Sequence, residues 1–166
     1  MRWRRPARSL GNGARAQEVV LKGVSSFPEG TLFSSKFEAF VKDVNARGGA
    51  VKLRIQYLGG APKVMPTFDV GKNLKDGVFD ILSSASAYYT NVLPEADALK
   101  LIENSIQVLR RNGGWEYVNK LHNEKMNAFY LARLTEHDVF HIYLNKPITK
   151  PDFTGLRLRV TPAFRP

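Results

Sequence analysis

Hydrophobic positions change their spacing several times over the first half of the chain, and each change predicts a different element. Residues 18–24 (EVVLKGV) are mostly β-branched or apolar, which is typical of a buried strand. Residues 31–47 space their apolar side chains along one face of a helix, and two glycines follow. Residues 50–57 alternate apolar with polar side chains, which predicts a half-buried strand. A second helix over residues 66–76 and a third strand over residues 78–83 complete this half.

Strands and helices that alternate across short loops predict an α/β fold with a parallel sheet flanked by helices. In such a sheet, the loops that leave the carboxyl ends of the strands lie along one edge. Ligands bind at that edge, near the point where the strand order reverses. The loop after the second strand starts with Gly59-Gly60, which we expect to end that strand. The other two loops contain small polar and aromatic residues: Ser25, Ser26, Phe27, Ser84, Ser86, Tyr88 and Tyr89.

The second half begins with a helical pattern over residues 94–125, with a break predicted at Gly113-Gly114. Three later segments have the composition of strands: residues 127–134, 139–144 and 156–160.

The last of these segments, LRLRV, places two arginines on one face of a predicted strand. Alternation directs Leu156, Leu158 and Val160 to one side and Arg157 and Arg159 to the other. Both arginines could simply face solvent. Alternatively, Arg159 could present its planar guanidinium to a carboxylate and form two parallel hydrogen bonds. The periodicity does not decide between these interpretations.

The net charge of +10 is unevenly distributed. Residues 1–17 contain five arginines and no acidic residue, and we interpret them as a basic leader remnant or a disordered arm. The rest of the chain carries 20 basic and 15 acidic residues, interspersed, which favours a solvated surface over a phosphate-binding stripe. A basic nucleic-acid-binding module is therefore the weaker alternative. The chain has no cysteine, which excludes disulfides and thiolate metal sites.

Signatures of catalysis are missing from the sequence. His122, His137 and His141 do not have the spacing of a zinc-binding helix, and we expect His122 and His137 on the surface. The serine pairs lack the flanking glycines of a nucleophile elbow. Nothing in the pattern supports an enzyme, and an enzyme on a similar α/β scaffold stays a second alternative, because the fold alone does not decide function.

Five segments, in this order, resemble a known family. They are VVLKGVSSFPEGT, NARGGAVKLRIQYLGG, KNLKDGVFDI, YYTNVLPEADAL and NKPITKPDFTGLRLRV. Together they resemble the periplasmic solute-binding receptors of tripartite ATP-independent periplasmic (TRAP) transporters, in the dicarboxylate-receptor branch. The resemblance extends from about Glu18 to the last residue.

The resemblance implies a periplasmic-binding-protein-like fold, in which two α/β lobes close over one small organic acid. It implies a periplasmic binding protein without a cofactor, which is not an enzyme and does not bind nucleic acid. Its partners would be the membrane permease subunits of an ion-gradient-driven TRAP transporter, or a membrane sensor. Residues 18–126 would form an incomplete first lobe and residues 127–166 the truncated beginning of the second.

The resemblance also implies the ligand contacts. Arg159 matches the arginine that pairs with the ligand carboxylate, whereas Arg157 would face away. Further contacts would come from the loops after the first and third strands: Ser25, Ser26, Phe27, Ala85, Ser86 and Tyr88. Phe140, together with Tyr88, would suit a ligand with a single carboxylate and an apolar or aromatic body.

Overall fold

The computed structural model describes residues 18–47, 52–135 and 142–159. The predicted leader, the glycine pair after the first helix, Phe140 and two of the three histidines lie outside these ranges. The statements below concern the described residues.

Three parallel strands form the central sheet, in the order β2-β1-β3. They are β1 (Val19–Ser25), β2 (Leu53–Gly60) and β3 (Ile81–Ser83). The chain moves outward from β1 to β2 and then crosses back to the other side of β1. With right-handed crossovers, this reversal places the two connecting helices on opposite faces of the sheet. The predicted α/β class, with a parallel sheet flanked by helices, is confirmed.

Helix α1 (Leu32–Ala46) connects β1 to β2, as the apolar spacing predicts. Its buried side chains Phe37 and Val41 pack against Ile55 of β2. Gly23 of β1 allows this close packing, because a Cβ there would lie 3.1–3.3 Å from Ile55, Ile81 and Phe37. The first β-α-β unit therefore has its own apolar core.

The outer edge of β2 is tied to α1 by one side chain. The Asn45 amide nitrogen donates to the Ile55 carbonyl oxygen at 2.9 Å, and the Ile55 backbone N–H donates to Asn45 Oδ1 at 2.7 Å. The two backbone groups of Ile55 that β1 does not use are thus satisfied by an amide side chain.

Strand β2 continues through Gly59 and ends at Gly60, so it extends further than the predicted end at residue 57. Val24 pairs with Gly59 and Ser25 with Gly60, after a register shift in the ladder. A Cβ on Gly60 would lie 2.0 Å from the Phe27 carbonyl oxygen. Glycine at position 60 therefore allows the end of β2 to approach the loop that leaves β1.

The connection from β2 to β3 contains a 3₁₀ turn (Thr67–Asp69) followed by the short helix α2 (Val70–Lys75). Gly77 follows it with φ of 72°. This agrees with the predicted second helix, although the α-helical part is shorter.

The helical second half consists of three pieces. They are the 3₁₀ segment Pro94–Leu101, α3 (Ile106–Arg111) and α4 (Gly114–Met126). The predicted break at Gly113 is confirmed, with φ of 84°. An earlier break was not predicted: Ser105 is the N-cap of α3, and its Oγ accepts a hydrogen bond from the Val108 backbone N–H at 3.4 Å.

A second core lies between α4 and the segment after β3. Tyr89, Leu93, Ala96 and Met126 form it. His122, expected on the surface, is buried beside it, which corrects that prediction. Its Nδ1–H donates to the Val118 carbonyl oxygen at 2.8 Å, so its Nε2 accepts from the Tyr89 hydroxyl at 3.2 Å. Burial is possible because both ring nitrogens are satisfied while the ring is neutral.

The strands predicted over residues 127–134 and 156–160 are not formed in the described residues, and these two predictions were wrong. Residues 128–135 and 142–159 contain no helix or strand. In the first segment, the Tyr130 backbone N–H donates to Asn119 Oδ1 at 2.7 Å, and Asn119 Nδ2 donates to the Tyr130 carbonyl at 3.3 Å. A side chain of α4 thus takes the place of a neighbouring strand. Of residues 139–144, the structure describes only the last three.

Within the described ranges, no helix has the length and apolar character needed to cross a membrane.

Candidate functional site

The loops that leave β1 and β3 meet at the carboxyl edge of the sheet, and we refer to this meeting place as the rim. The Ser26 backbone N–H donates to the Ser83 carbonyl at 2.8 Å, and the Ser26 hydroxyl donates to Ser84 Oγ at 2.6 Å. The Ser84 hydroxyl in turn donates to the Ala85 carbonyl oxygen at 2.9 Å. These bonds join the loops where the strand order reverses, which is the position at which open α/β sheets bind ligands.

Four aromatic rings surround this meeting point, and we refer to Phe27, Phe33, Phe68 and Tyr88 as the rim aromatic cluster. Phe27 stacks on Phe33 with ring centroids 5.2 Å apart, and it meets Tyr88 edge-on at 5.7 Å. Phe68 also meets Tyr88 edge-on, at 5.4 Å. Phe33 is 58% exposed and Phe68 41% exposed, so apolar ring surface faces solvent. The cluster is thus a continuous, partly open aromatic surface.

Six of the predicted site residues lie together at this edge. Ser25 is fully buried, and its Oγ accepts a hydrogen bond from the Phe27 backbone N–H at 3.1 Å. Ser26 is buried as well, whereas Ser86 and Tyr88 are half-buried in the 3₁₀ turn Ser86–Tyr88 and Ala85 is exposed. The two buried serines therefore shape the loops, and the residues of the β3 loop offer the accessible surface.

Arg159 is not part of this arrangement. It is exposed and lies in the segment 142–159, where the predicted strand is absent from residues 156–159. Within the described ranges, no hydrogen bond or ion pair joins its guanidinium to the rim. The backbone bonds of this segment are local, such as the Leu156 N–H donating to the Phe153 carbonyl at 3.0 Å. Arg157 is exposed too.

A buried phenol lies below the loop after β1. The Tyr57 hydroxyl has no hydrogen-bond partner among the described residues. Burial, with smaller contributions from the Glu38 and Glu29 carboxylates, raises the pKa of Tyr57 to about 12, while the facing Ser25 hydroxyl acts in the opposite direction. Although Ser25 faces the phenol, it does not reach hydrogen-bond geometry. Tyr57 thus remains protonated and neutral at neutral pH.

Both carboxylates near the loop after β1 have a partner. Lys63, which follows β2, pairs with Glu29 at 3.8 Å, and Glu38 Oε1 accepts a hydrogen bond from the Gly30 backbone N–H at 2.9 Å. The first pair is exposed to water, where such interactions contribute little.

Sequence reasoning missed Phe33 and Phe68 as site residues. Phe33 follows the helical pattern of α1, and Phe68 belongs to the 3₁₀ turn that begins the second helical connection. A usable signal was present: in a parallel α/β unit, the first turn of each connecting helix lies at the carboxyl edge of the sheet. Tyr89, by contrast, was expected at this edge and is instead buried against His122.

A cavity of about 400 Å³ lies elsewhere, at the amino ends of β1 and β2. None of the predicted site residues lines it. It is bordered by Glu18, Asn45, Ala46, Arg47, Lys52, Leu53 and Arg54. Arg47, one of its cations, is paired with Asp43 at 2.6 Å. We place the candidate site at the carboxyl edge instead, because hydroxyl groups and rings from separate loops converge there.

Among the described residues, no three histidine or carboxylate side chains form a group that could hold a metal ion. No protein-family model matches the chain.

Proposed function

We propose that this chain is an extracytoplasmic solute-binding protein that captures a small organic acid for an ion-gradient-driven TRAP permease. In this proposal it binds its ligand without chemical conversion and needs no cofactor. The resemblance of five sequence segments to TRAP receptors supports the family, and the parallel α/β fold is compatible with a first receptor lobe.

The observation that carries the proposal is the meeting of the β1 and β3 loops at the reversal point of the sheet. The Ser26–Ser84 hydroxyl contact of 2.6 Å and the Phe27–Tyr88 ring contact of 5.7 Å define this place. A surface built from separate loops at the carboxyl edge is the usual position of a ligand in this class of fold.

In this proposal, the Arg159 guanidinium supplies the positive charge that pairs with the ligand carboxylate. Because the residue is exposed in the structure, the segment that carries it must close onto the rim when ligand binds. Closure would exclude water from the guanidinium–carboxylate pair and so strengthen their interaction.

Binding of organic acids to the full chain tests the proposal. We expect isothermal titration calorimetry to detect at least one small carboxylate ligand. Arg159→Ala should weaken binding by about 2–5 kcal/mol, because the ligand carboxylate loses a desolvated charged partner. Arg159→Lys should also bind weakly, since an ammonium group cannot form the two parallel bonds of a guanidinium.

Arg157→Ala is the matched control, because it removes the same charge two residues away. If this variant loses as much affinity as Arg159→Ala, the loss comes from the lower net positive charge of the protein. Arg159 would then not be the residue that pairs with the ligand carboxylate. Absence of binding by any organic acid to the folded chain would contradict the proposed function.

A further inference from the structure

We infer that the ligand of the rim is a monocarboxylic acid with a flat aromatic body, rather than a short dicarboxylate. This inference rests on the proposed function and names the ligand class of the same site. Two observations support it: the rim exposes aromatic ring surface, and two of its serine hydroxyls already donate their protons within the protein.

The rim aromatic cluster offers an apolar surface to the body of the ligand. Tyr88 contacts both Phe27 and Phe68, and both rings meet it edge-on, at 5.7 and 5.4 Å. Phe33 extends the surface by stacking on Phe27. Because Phe33 and Phe68 keep large exposed fractions of 58% and 41%, an aromatic ligand ring can pack against them without displacing a core side chain. Aromatic pairs of this kind gain stability beyond simple burial of area.

The serine hydroxyls determine which polar groups of a ligand the rim can bind. The Ser26 proton is donated to Ser84, and the Ser84 proton is donated to the Ala85 carbonyl. An ionised carboxylate only accepts hydrogen bonds. Because both serine protons are already donated within the protein, neither hydroxyl can donate to a ligand carboxylate in this arrangement. The nearby cation Lys63 is paired with Glu29. Ser86 and Tyr88 keep hydroxyls that can bond to one neutral polar substituent. The described residues that form the rim include no unpaired cation for a second carboxylate.

Three acids of defined shape test this inference on the full chain: benzoate, cyclohexanecarboxylate and succinate. We expect benzoate to bind about 3- to 10-fold more tightly than cyclohexanecarboxylate, which has a similar size but no aromatic ring. Benzoate should also bind more tightly than succinate. Phe68→Leu and Tyr88→Leu should each weaken benzoate binding by a similar factor.

Tyr117→Leu is the matched control, because Tyr117 is an exposed aromatic residue of α4, at 62% exposure, and does not belong to the cluster. Its benzoate affinity should be unchanged. Equal weakening in Tyr117→Leu and Phe68→Leu would show nonspecific binding to exposed rings and overturn the inference. Circular dichroism of each variant checks that the fold is retained.

The outcomes separate this inference from the proposed function. Preference for succinate, with loss of binding in Arg159→Ala, would overturn the aromatic ligand class and support the receptor. Benzoate binding that depends on Phe68 but not on Arg159 would support the aromatic site and overturn the proposed pairing of Arg159 with the ligand carboxylate. Failure of all three acids to bind the folded chain would overturn the inference; other carboxylates would then test the receptor by itself.

Discussion

The buried ring of His122 is held in its neutral form by two hydrogen bonds. The Val118 carbonyl can only accept, so Nδ1 carries the proton and Nε2 accepts from the Tyr89 hydroxyl. Burial lowers the pKa of His122, and the bond to Val118 opposes this shift more weakly. Protonation would place a charge in the core and leave Nε2–H facing a hydroxyl that no longer has an acceptor.

This arrangement predicts a loss of stability in mild acid. Because the pKa of His122 in the folded protein lies below its value in the unfolded chain, the stabilising contribution is complete above the unfolded pKa of about 6.5. It is lost as the pH falls from there through the folded pKa. We expect the melting temperature to fall between pH 7.5 and pH 5.5, and to fall less in His122→Leu.

Tyr89→Phe is the control for this prediction. It removes the hydrogen bond to Nε2 but keeps the burial that lowers the pKa, so most of the pH dependence should persist. Identical pH profiles for the wild type and His122→Leu would contradict a contribution from His122. His137 and His141 are present in all three proteins, so the comparison cancels their titration.

At the scale of elements, Asn119 determines the conformation of the chain after α4. Its amide makes two hydrogen bonds to the backbone of Tyr130, at 2.7 and 3.3 Å. We expect Asn119→Ala to lower the free energy of unfolding by about 1–3 kcal/mol, since both partners are backbone groups that are costly to leave unpaired. Chemical denaturation measures this change, and the Tyr130 amide should exchange its hydrogen faster.

Asn123→Ala on the same helix is the matched control, because the Asn123 side chain is exposed. It should change stability by less than about 0.5 kcal/mol, as is usual for surface substitutions. Unchanged exchange at Tyr130 in Asn119→Ala would mean that other contacts hold this segment.

The elements that sequence reasoning predicted well are those with local causes. The apolar spacing of α1 and the β-branched run of β1 determine their own conformation, and parallel topology then brought the Ser26 and Ser84 loops together. The end of β2 could not be predicted, because it depends on the Phe27 carbonyl, more than thirty residues earlier in the chain. Residues 127–134 have strand-like composition, but an asparagine of the preceding helix binds their backbone. Composition contains no sign of such a partner.

At the scale of the whole molecule, the proposed function requires the segment that carries Arg159 to become less exposed when ligand binds. Without ligand, trypsin should cleave readily after Arg157 and Arg159, because residues 142–159 have no regular structure and are almost entirely exposed. Saturating benzoate should slow both cleavages if closure onto the rim occurs. Mass spectrometry of the timed digests measures the two products separately.

The Arg159→Ala variant tests the cause of this protection. It keeps the cleavage site after Arg157 but lacks the group that binds the carboxylate, so benzoate should no longer slow cleavage there. Protection that persists in the variant would show that ligand acts on this segment without Arg159.

The amide of Asn45 has a consequence for how the sheet can grow. It occupies the backbone donor and acceptor of Ile55 on the side of β2 that faces away from β1. A further strand could add to β2 only by displacing that side chain, whereas among the described residues no strand pairs with the other side of β3. Any additional strand, from this chain or a second molecule, should therefore join beside β3, and the aromatic surface would then lie nearer the middle of a wider sheet.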